Sequence, residues 1–239
     1  FIVSARRTYA DWLANAFKGL LDVSFDHLGL YFYDLNAKIN HRLSDYDRLY
    51  LSFYSGRDVI NLKGRSVSEY ESHKSEDISS GATHWGNTLY HLRWNHIFTP
   101  RLFANVTLGY NRFSLSSMSA YENRESYCHE NLSRQYSDLA FKSGIDDFSA
   151  NADFDYHPLS SHHLRFGAQY TLHCFRPEIQ SSEIRYFEAG IADTHETFSS
   201  ENKIILANEA AIYAEDDFNW GDHWQFNTGL RAAFFSTEG

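Results

Sequence analysis

The sequence predicts an all-β fold: an antiparallel meander forming part of a transmembrane β-barrel, about nine strands of a larger wall. Three observations predict it. Apolar and polar residues alternate with period two, connections alternate between tight and long, and aromatic rings gather towards the ends of the apolar faces.

The alternation comes first, because period two is the mark of a strand with two different environments. Tyr31, Tyr33, Leu35, Ala37, Ile39, His41 and Leu43 alternate with Phe32, Asp34, Asn36, Lys38, Asn40 and Arg42. Leu49, Leu51 and Phe53 alternate with Arg48, Tyr50 and Ser52. The same pattern runs through 87–98, 102–111, 147–156, 163–173, 206–217 and 224–234, and a short strand opens the chain at 1–9. The turns at 44–47, 99–100, 158–162 and 218–222 are tight, whereas 10–29, 59–83, 114–144 and 174–204 read as long polar loops. Tight turns on one rim and long loops on the other are the habit of outer-membrane barrels. Pro100, Pro158 and Pro177 all fall in connections, where a missing donor harms no ladder. Residues Trp12 to Leu21 have the composition of a short helix.

A soluble β-sandwich also alternates, so the order of residues along each apolar face decides between the two. Leu35, Ala37 and Ile39, or Ala104, Val106 and Leu108, hold the middle, and Tyr31, Trp94, Phe98, Tyr110, Tyr156, Trp224 and Phe234 lie nearer the ends. Rings placed at the two ends suit a headgroup layer, where an amphipathic ring meets hydrocarbon and water together. A sandwich would centre them. The polar face carries too many charges for a dry core, because unpaired buried charges cost several kcal/mol each.

Composition excludes other classes. The formal charge of −10 argues against nucleic acid as a partner. Aromatics at 17% argue against disorder. No segment has the roughly 18 apolar residues of a membrane helix, which excludes helical spans only. The chain opens Phe1-Ile2-Val3 without initiator Met, basic region or cleavage site, as a mature or truncated chain does. Cys128 and Cys174 permit one bridge or two free thiols.

Several segments resemble TonB-dependent outer-membrane receptors of the Bacteroidetes type. They are Phe1 to Tyr9, Tyr33 to Lys38, Leu43 to Tyr54, Trp85-Gly86-Asn87, Leu92 to Phe98, Leu164 to Ala168, Ala211 to Asp217 and Gly229-Leu230-Arg231. The resemblance covers nearly the whole chain. It implies a barrel of about 22 strands around a plug. It also implies import of a scarce nutrient (siderophore, cobalamin, glycan or peptide) across the outer membrane of a Gram-negative bacterium, with energy delivered by TonB. The expected partners are outer-membrane lipid, the rest of the barrel and its plug, the TonB complex and a surface lipoprotein. Residues 1–239 read as part of one barrel domain, without plug, TonB box or signal peptide. The alternative is a soluble all-β ligand-binding module, and an outer-membrane barrel enzyme stands behind that.

Candidate chemistry is sparse. No G-x-S-x-G or phosphate loop occurs, so neither catalysis nor a cofactor is expected. His157, His163 and Asp155 are able to converge at one turn, and Asp146, Asp147, Asp153 and Asp155 form an acidic run without Ca²⁺-loop spacing, so no metal is expected either. No ligand-binding residue stands out. Trp12, Tyr70, Tyr121, Tyr127, Tyr136, Tyr186 and Phe187 are the rings available to stack on a sugar or chelate.

Hairpin symmetry gives an expected register. A turn centred in 218–222 sets Glu215 opposite Gln225, Tyr213 opposite Asn227 and Glu209 opposite Arg231, and the turn at 158–162 sets Asp155 opposite Arg165 and Asp147 opposite His173. Such charge pairs contribute roughly 0.2–1 kcal/mol. An Arg turned instead into lipid costs about 2–4 kcal/mol. Expressed alone, the chain should require detergent or form inclusion bodies. Recovery of a soluble, monodisperse monomer at neutral pH would favour the sandwich.

Overall fold

A computed structural model describes residues 1–16, 26–191, 193–201, 203–221 and 223–238. The elements are β1 (Ile2–Arg7), α1 (Ala10–Ala16), β2 (His27–Arg42), β3 (Asp47–Tyr70), β4 (His73–Thr99), β5 (Leu102–Tyr127), β6 (Glu130–Leu159), β7 (His162–Glu188), β8 (Thr194–Glu201), β9 (Ile205–Trp220) and β10 (Trp224–Glu238). The strands form one sheet in the order β1-β2-β3-β4-β5-β6-β7-β9-β10, and β8 pairs with β7 beside that path. Every pairing is antiparallel. The expected meander is present, with ten strands in place of nine. Of the expected helix, Ala10–Ala16 is helical, and residues 17–21 lie outside the described residues.

The largest correction concerns the long connections. Residues 59–83 and 114–144 are not loops, and most of the described part of 174–201 is strand too. They are outward continuations of β3 to β7, closed by short turns, with β8 folded back on β7. β6 alone has 30 residues, which is on the order of 100 Å of extended chain at 3.3 Å per residue. A spanning strand needs only about 9–11. Beyond the membrane both faces meet water, so Ser66, Ser68, Ser75, Ser79 and Ser80 occupy either side without penalty. The period-two signal vanishes there while the backbone ladder continues. The tips also lack the Asn-Gly signature of tight hairpins. Cys128 (φ 48°) and His129 (φ 72°) both adopt left-handed backbone between the paired residues Tyr127 and Glu130, as does Glu71 (φ 55°) between Tyr70 and His73.

The opposite rim has side-chain locks. Ser44 Oγ accepts from the amides of Tyr46 (3.0 Å) and Asp47 (2.9 Å) and donates to Asp47 Oδ2 (2.7 Å). Trp94 Nε1 donates to Asp47 Oδ1 at 2.9 Å, and His96 Nδ1 lies 2.6 Å from the same oxygen. These contacts, Ser44 foremost and then His96 and Trp94, hold the Asp47 carboxyl down at about 2. Asp155 does face Arg165, and Asp147 faces His173, as expected. The last hairpin differs. Gly221 (φ 66°) moves the turn outward, so Gly229 faces Glu215, Arg231 faces Tyr213 and Phe235 faces Glu209. Moving the centre of a hairpin by two residues slides its register by four. An even slide preserves which face each side chain takes, and Glu209 and Arg231 remain on the same side.

The sheet is a single layer. Among the described residues no large side chain is fully buried, and the buried apolar residues are Val59, Ala104, Ala207 and Ala211. The apolar face lies open, with Leu230 86%, Ile212 63% and Phe148 48% exposed. A sandwich would cover this face with a second sheet. Here the covering solvent is hydrocarbon, and the chain is a portion of a transmembrane β-barrel wall. The apolar stripe of β5 runs from Leu102 to Tyr110, about nine residues, which matches a tilted spanning strand. Rings mark both ends. Phe53, Tyr90, Tyr110 and Phe148 form a row across four strands, with centroids 5.0, 6.1 and 5.0 Å apart. Phe154–Phe166 (5.1 Å) and Phe218–Phe226 (5.4 Å) mark the other end. Rings thus touch one another at both ends of the stripe, with Tyr110 the one of the named end rings that takes part in these contacts.

Replacing Cys128-His129 by Asn-Gly should relieve left-handed strain worth about 1–2 kcal/mol per residue. Amides near the tip should then exchange with solvent about five-fold or more slowly. Unchanged exchange would mean that the tip turn is not type I′.

Candidate functional site on the polar face

The polar face of the spanning region is a continuous network of hydrogen bonds and ion pairs. Period two sends Asp147, Asn151, Asp153 and Asp155 of β6 to the same side as Arg165, Gln169 and His173 of β7, and antiparallel pairing sets them opposite one another. β9 then adds Glu209, Tyr213, Glu215 and Asp217. His173 Nδ1 lies 2.7 Å from Asp147 Oδ1, and its Nε2 lies 3.7 Å from Glu209 Oε2. Arg165 Nε lies 2.7 Å from Glu215 Oε1, so Arg165 pairs ionically across β9 rather than with Asp155, its backbone partner. Tyr213 donates to Asp153 Oδ1 at 2.7 Å, and Arg231 Nη2 donates to Gln169 Oε1 at 2.9 Å. Nearer β1, Arg6 pairs with Asp34, and the Arg93 guanidinium stacks 4.4 Å over Tyr50. Most of these groups are half-buried. They keep contact with water, which is the state a wet lumen allows and a packed core forbids.

One glycine is essential to this network. A Cβ on Gly167 would lie 2.6 Å from the Ala152 carbonyl and 2.8 Å from the Tyr213 ring. The missing side chain is the space through which Tyr213 reaches Asp153.

The residues singled out for metal chemistry do meet. The His157 and His163 rings stack at 4.2 Å, and His163 Nε2 lies 2.9 Å from Asp155 Oδ1. Among the described residues, no group of three or more His, Cys, Asp or Glu is arranged to hold a metal ion. The acidic run is divided: Asp146 points to the apolar-face side with Tyr110 (2.9 Å), and Asp147 and Asp153 point to the polar face. Cys128 and Cys174 are both free, the first exposed at the β5–β6 tip and the second within β7.

Of the seven aromatic candidates, Tyr136, Tyr186 and Phe187 line one open cavity of about 490 Å³ together with Glu122, Arg134, Arg185 and His195, and the other four lie apart from it. Tyr121 and Tyr186 share the polar-face side by register, and Tyr136 and Phe187 take the other. Tyr70 and Tyr127 are exposed at hairpin ends, and Trp12 is exposed on α1. Sequence reasoning missed the charge clusters of the extended hairpins. Glu122 is held between Arg124 and Arg134, Glu183 between Arg185 and His195, and Arg65 lies 2.6 Å from Glu76. Arg124 first, and then Arg134, holds the Glu122 carboxyl below its usual range, and Arg185 does the same to Glu183. Tyr121, helped by Asn123, lowers Asp77. The signal for these clusters was the i, i+2 spacing of Glu122 with Arg124 and of Glu183 with Arg185, which places opposite charges on one face of a strand.

A one-layer sheet with a lipid-exposed face, a wet charged face and rings at both ends of the apolar stripe defines a segment of outer-membrane-type barrel wall. The family described as TonB dependent receptor-like, beta-barrel matches residues 11–239, and the chain belongs to that family. It is a family of transport receptors rather than of enzymes. No curated protein and no solved structure matches the chain.

Gly167→Ala should cost about 1–3 kcal/mol through overpacking, read as a lower urea midpoint for folding into lipid vesicles. Gly81→Ala is the control, because nothing lies within 4 Å of a Cβ there. Equal midpoints for the two variants would remove the close approach of Tyr213.

Proposed function

We propose that this chain is part of the barrel domain of an outer-membrane receptor of a Gram-negative bacterium. The receptor imports a scarce nutrient, a siderophore, cobalamin, glycan or peptide, with energy passed from TonB to a plug carried elsewhere in the receptor. The observation that carries this reading is the two-sidedness of the wall. An open apolar stripe about nine residues long backs a polar face whose acids and bases are paired across strands. Membership of the TonB-dependent receptor family supports the same reading. The polar face lines the path, and the extended hairpins stand outside the cell, where a ligand arrives first. A neighbouring gene for a surface lipoprotein would select glycan or peptide import from the four classes.

The β5–β6 tip carries its own reporter. In the full-length receptor on intact cells, with Cys174→Ser in place, a membrane-impermeant maleimide should label Cys128. A cysteine placed at Ser160, with Cys128 also replaced by Ser, should stay unlabelled until the outer membrane is breached. Labelling of the 160 position on intact cells, with Cys128 silent, would reverse the orientation.

A further inference from the structure

The apolar-face side of the wall carries a basic pocket just beyond its outer ring of aromatics. The row Phe53, Tyr90, Tyr110 and Phe148 ends the apolar stripe. One same-face step further along β5 is Arg112, paired in register with Asp146 of β6, and Arg176 of β7 faces Gly144. Arg57 faces Gly86, and His84 faces Ser116 two positions along β4. Lys142 also faces Ser116, which puts it beside His84. His84, Arg112, Lys142, Gly144, Arg176 and Pro177 line a cavity of about 310 Å³.

The charge in this pocket is unbalanced. Among the described residues, Asp146 is the one acid paired there: Arg176 binds it, and Arg112 Nε lies 3.8 Å from it. Among the described residues, Arg57 and Lys142 form no salt bridge, and the buried Nε of Arg176 has no hydrogen-bond partner. Burial first, and then the charges of Arg57 and Lys142, holds the His84 imidazole below its usual range. Among the described residues, four cations thus surround one carboxylate, on a chain whose formal charge is −10. An outward patch of this sign at headgroup level attracts anionic lipid, and paired guanidinium groups favour phosphate oxygens.

We propose that this pocket binds the phosphate groups of a phosphorylated glycolipid in the outer leaflet. Height selects the glycolipid over a simple phospholipid. Headgroup layers are roughly 5–7 Å thick on each side of the hydrocarbon. From Tyr110 to Arg112 is one same-face step of about 7 Å, and from Phe148 to Lys142 is three, about 20 Å along the strand. Cations stacked over that span match a headgroup whose phosphates are carried on sugars. Asp146 holds the two arginines in place for the ligand.

The proposal rests on the membrane reading above, and the test separates the two. The full-length receptor is purified in detergent and titrated with a bis-phosphorylated outer-leaflet glycolipid, and bound lipid is counted by native mass spectrometry. Arg112→Gln/Lys142→Gln/Arg176→Gln should lower the affinity about ten-fold or more while keeping heat-modifiable gel mobility. The dephosphorylated glycolipid should bind wild type correspondingly less. Should the triple variant fail to fold, Lys142→Gln alone, which breaks no ion pair, should still lose about three-fold. Millimolar inorganic phosphate should not displace the lipid. Equal affinity of wild type and variants, equal binding of the dephosphorylated lipid, or displacement by phosphate alone would overturn the proposal. Each of these leaves the membrane reading intact, whereas a receptor soluble without detergent overturns that reading instead.

Discussion

The backbone ladder is the constraint on which the rest of this structure depends. In hydrocarbon no water is available to an amide or carbonyl, so each must find a partner on a neighbouring strand. An unbroken antiparallel pairing from β1 to β10 satisfies that demand inside the sheet. The two-faced character follows, because a strand in a one-layer wall turns alternate residues to lipid and to water. Irregularities are confined to places where water is near. The shifts between β6 and β7 fall at Lys142–Gly144, beyond the apolar stripe, and at Tyr156–Leu159, beside the short turn; that between β5 and β6 falls at Glu125–Ser126, near the far tip, and that between β4 and β5 at Ile97–Thr99, at the short turn.

The polar face answers a second demand. Charges on the inside of a barrel stay near water, and pairing them across strands adds little energy but discourages slippage. Glu215 with Arg165 and Asp147 with His173 join neighbouring strands at different heights. A one-residue slip would send both acids into lipid. The four-residue displacement of the last hairpin shows the complementary rule. The chain tolerates an even slide, because Tyr213 and Gly229 then still face inward. Turn chemistry, here Gly221, chooses among the even registers.

Sequence reading was reliable where the two solvents differ and failed where they do not. Leu102 to Tyr110 alternates because one side meets hydrocarbon, and its strand, face and ring placement were all legible. The stretch from Ser114 to Arg134 meets water on both sides, so its residues carry no face information. Composition then imitates a loop even though the ladder persists. The tip at Cys128-His129 hid the hairpin further, since neither residue advertises left-handed backbone. The polar-face pairs were legible to the extent that turn positions were: right at 158–162, displaced at 218–222. The ring of cations beyond Tyr110 was illegible, because Arg57, Arg112, Lys142 and Arg176 lie far apart in sequence and meet only through register.

The strands do not end at one height. β3 to β7 rise far above the apolar stripe, whereas β9 meets β7 no further than Ile205 opposite Phe175, and β2 meets β3 no further than His27 opposite Lys63. Among the described residues the sheet is therefore taller through β3 to β7 than at β2 and β9. A flat body brought against this sheet would touch the tall hairpins of β3 to β7 first and stand clear of the sheet at β2 and β9.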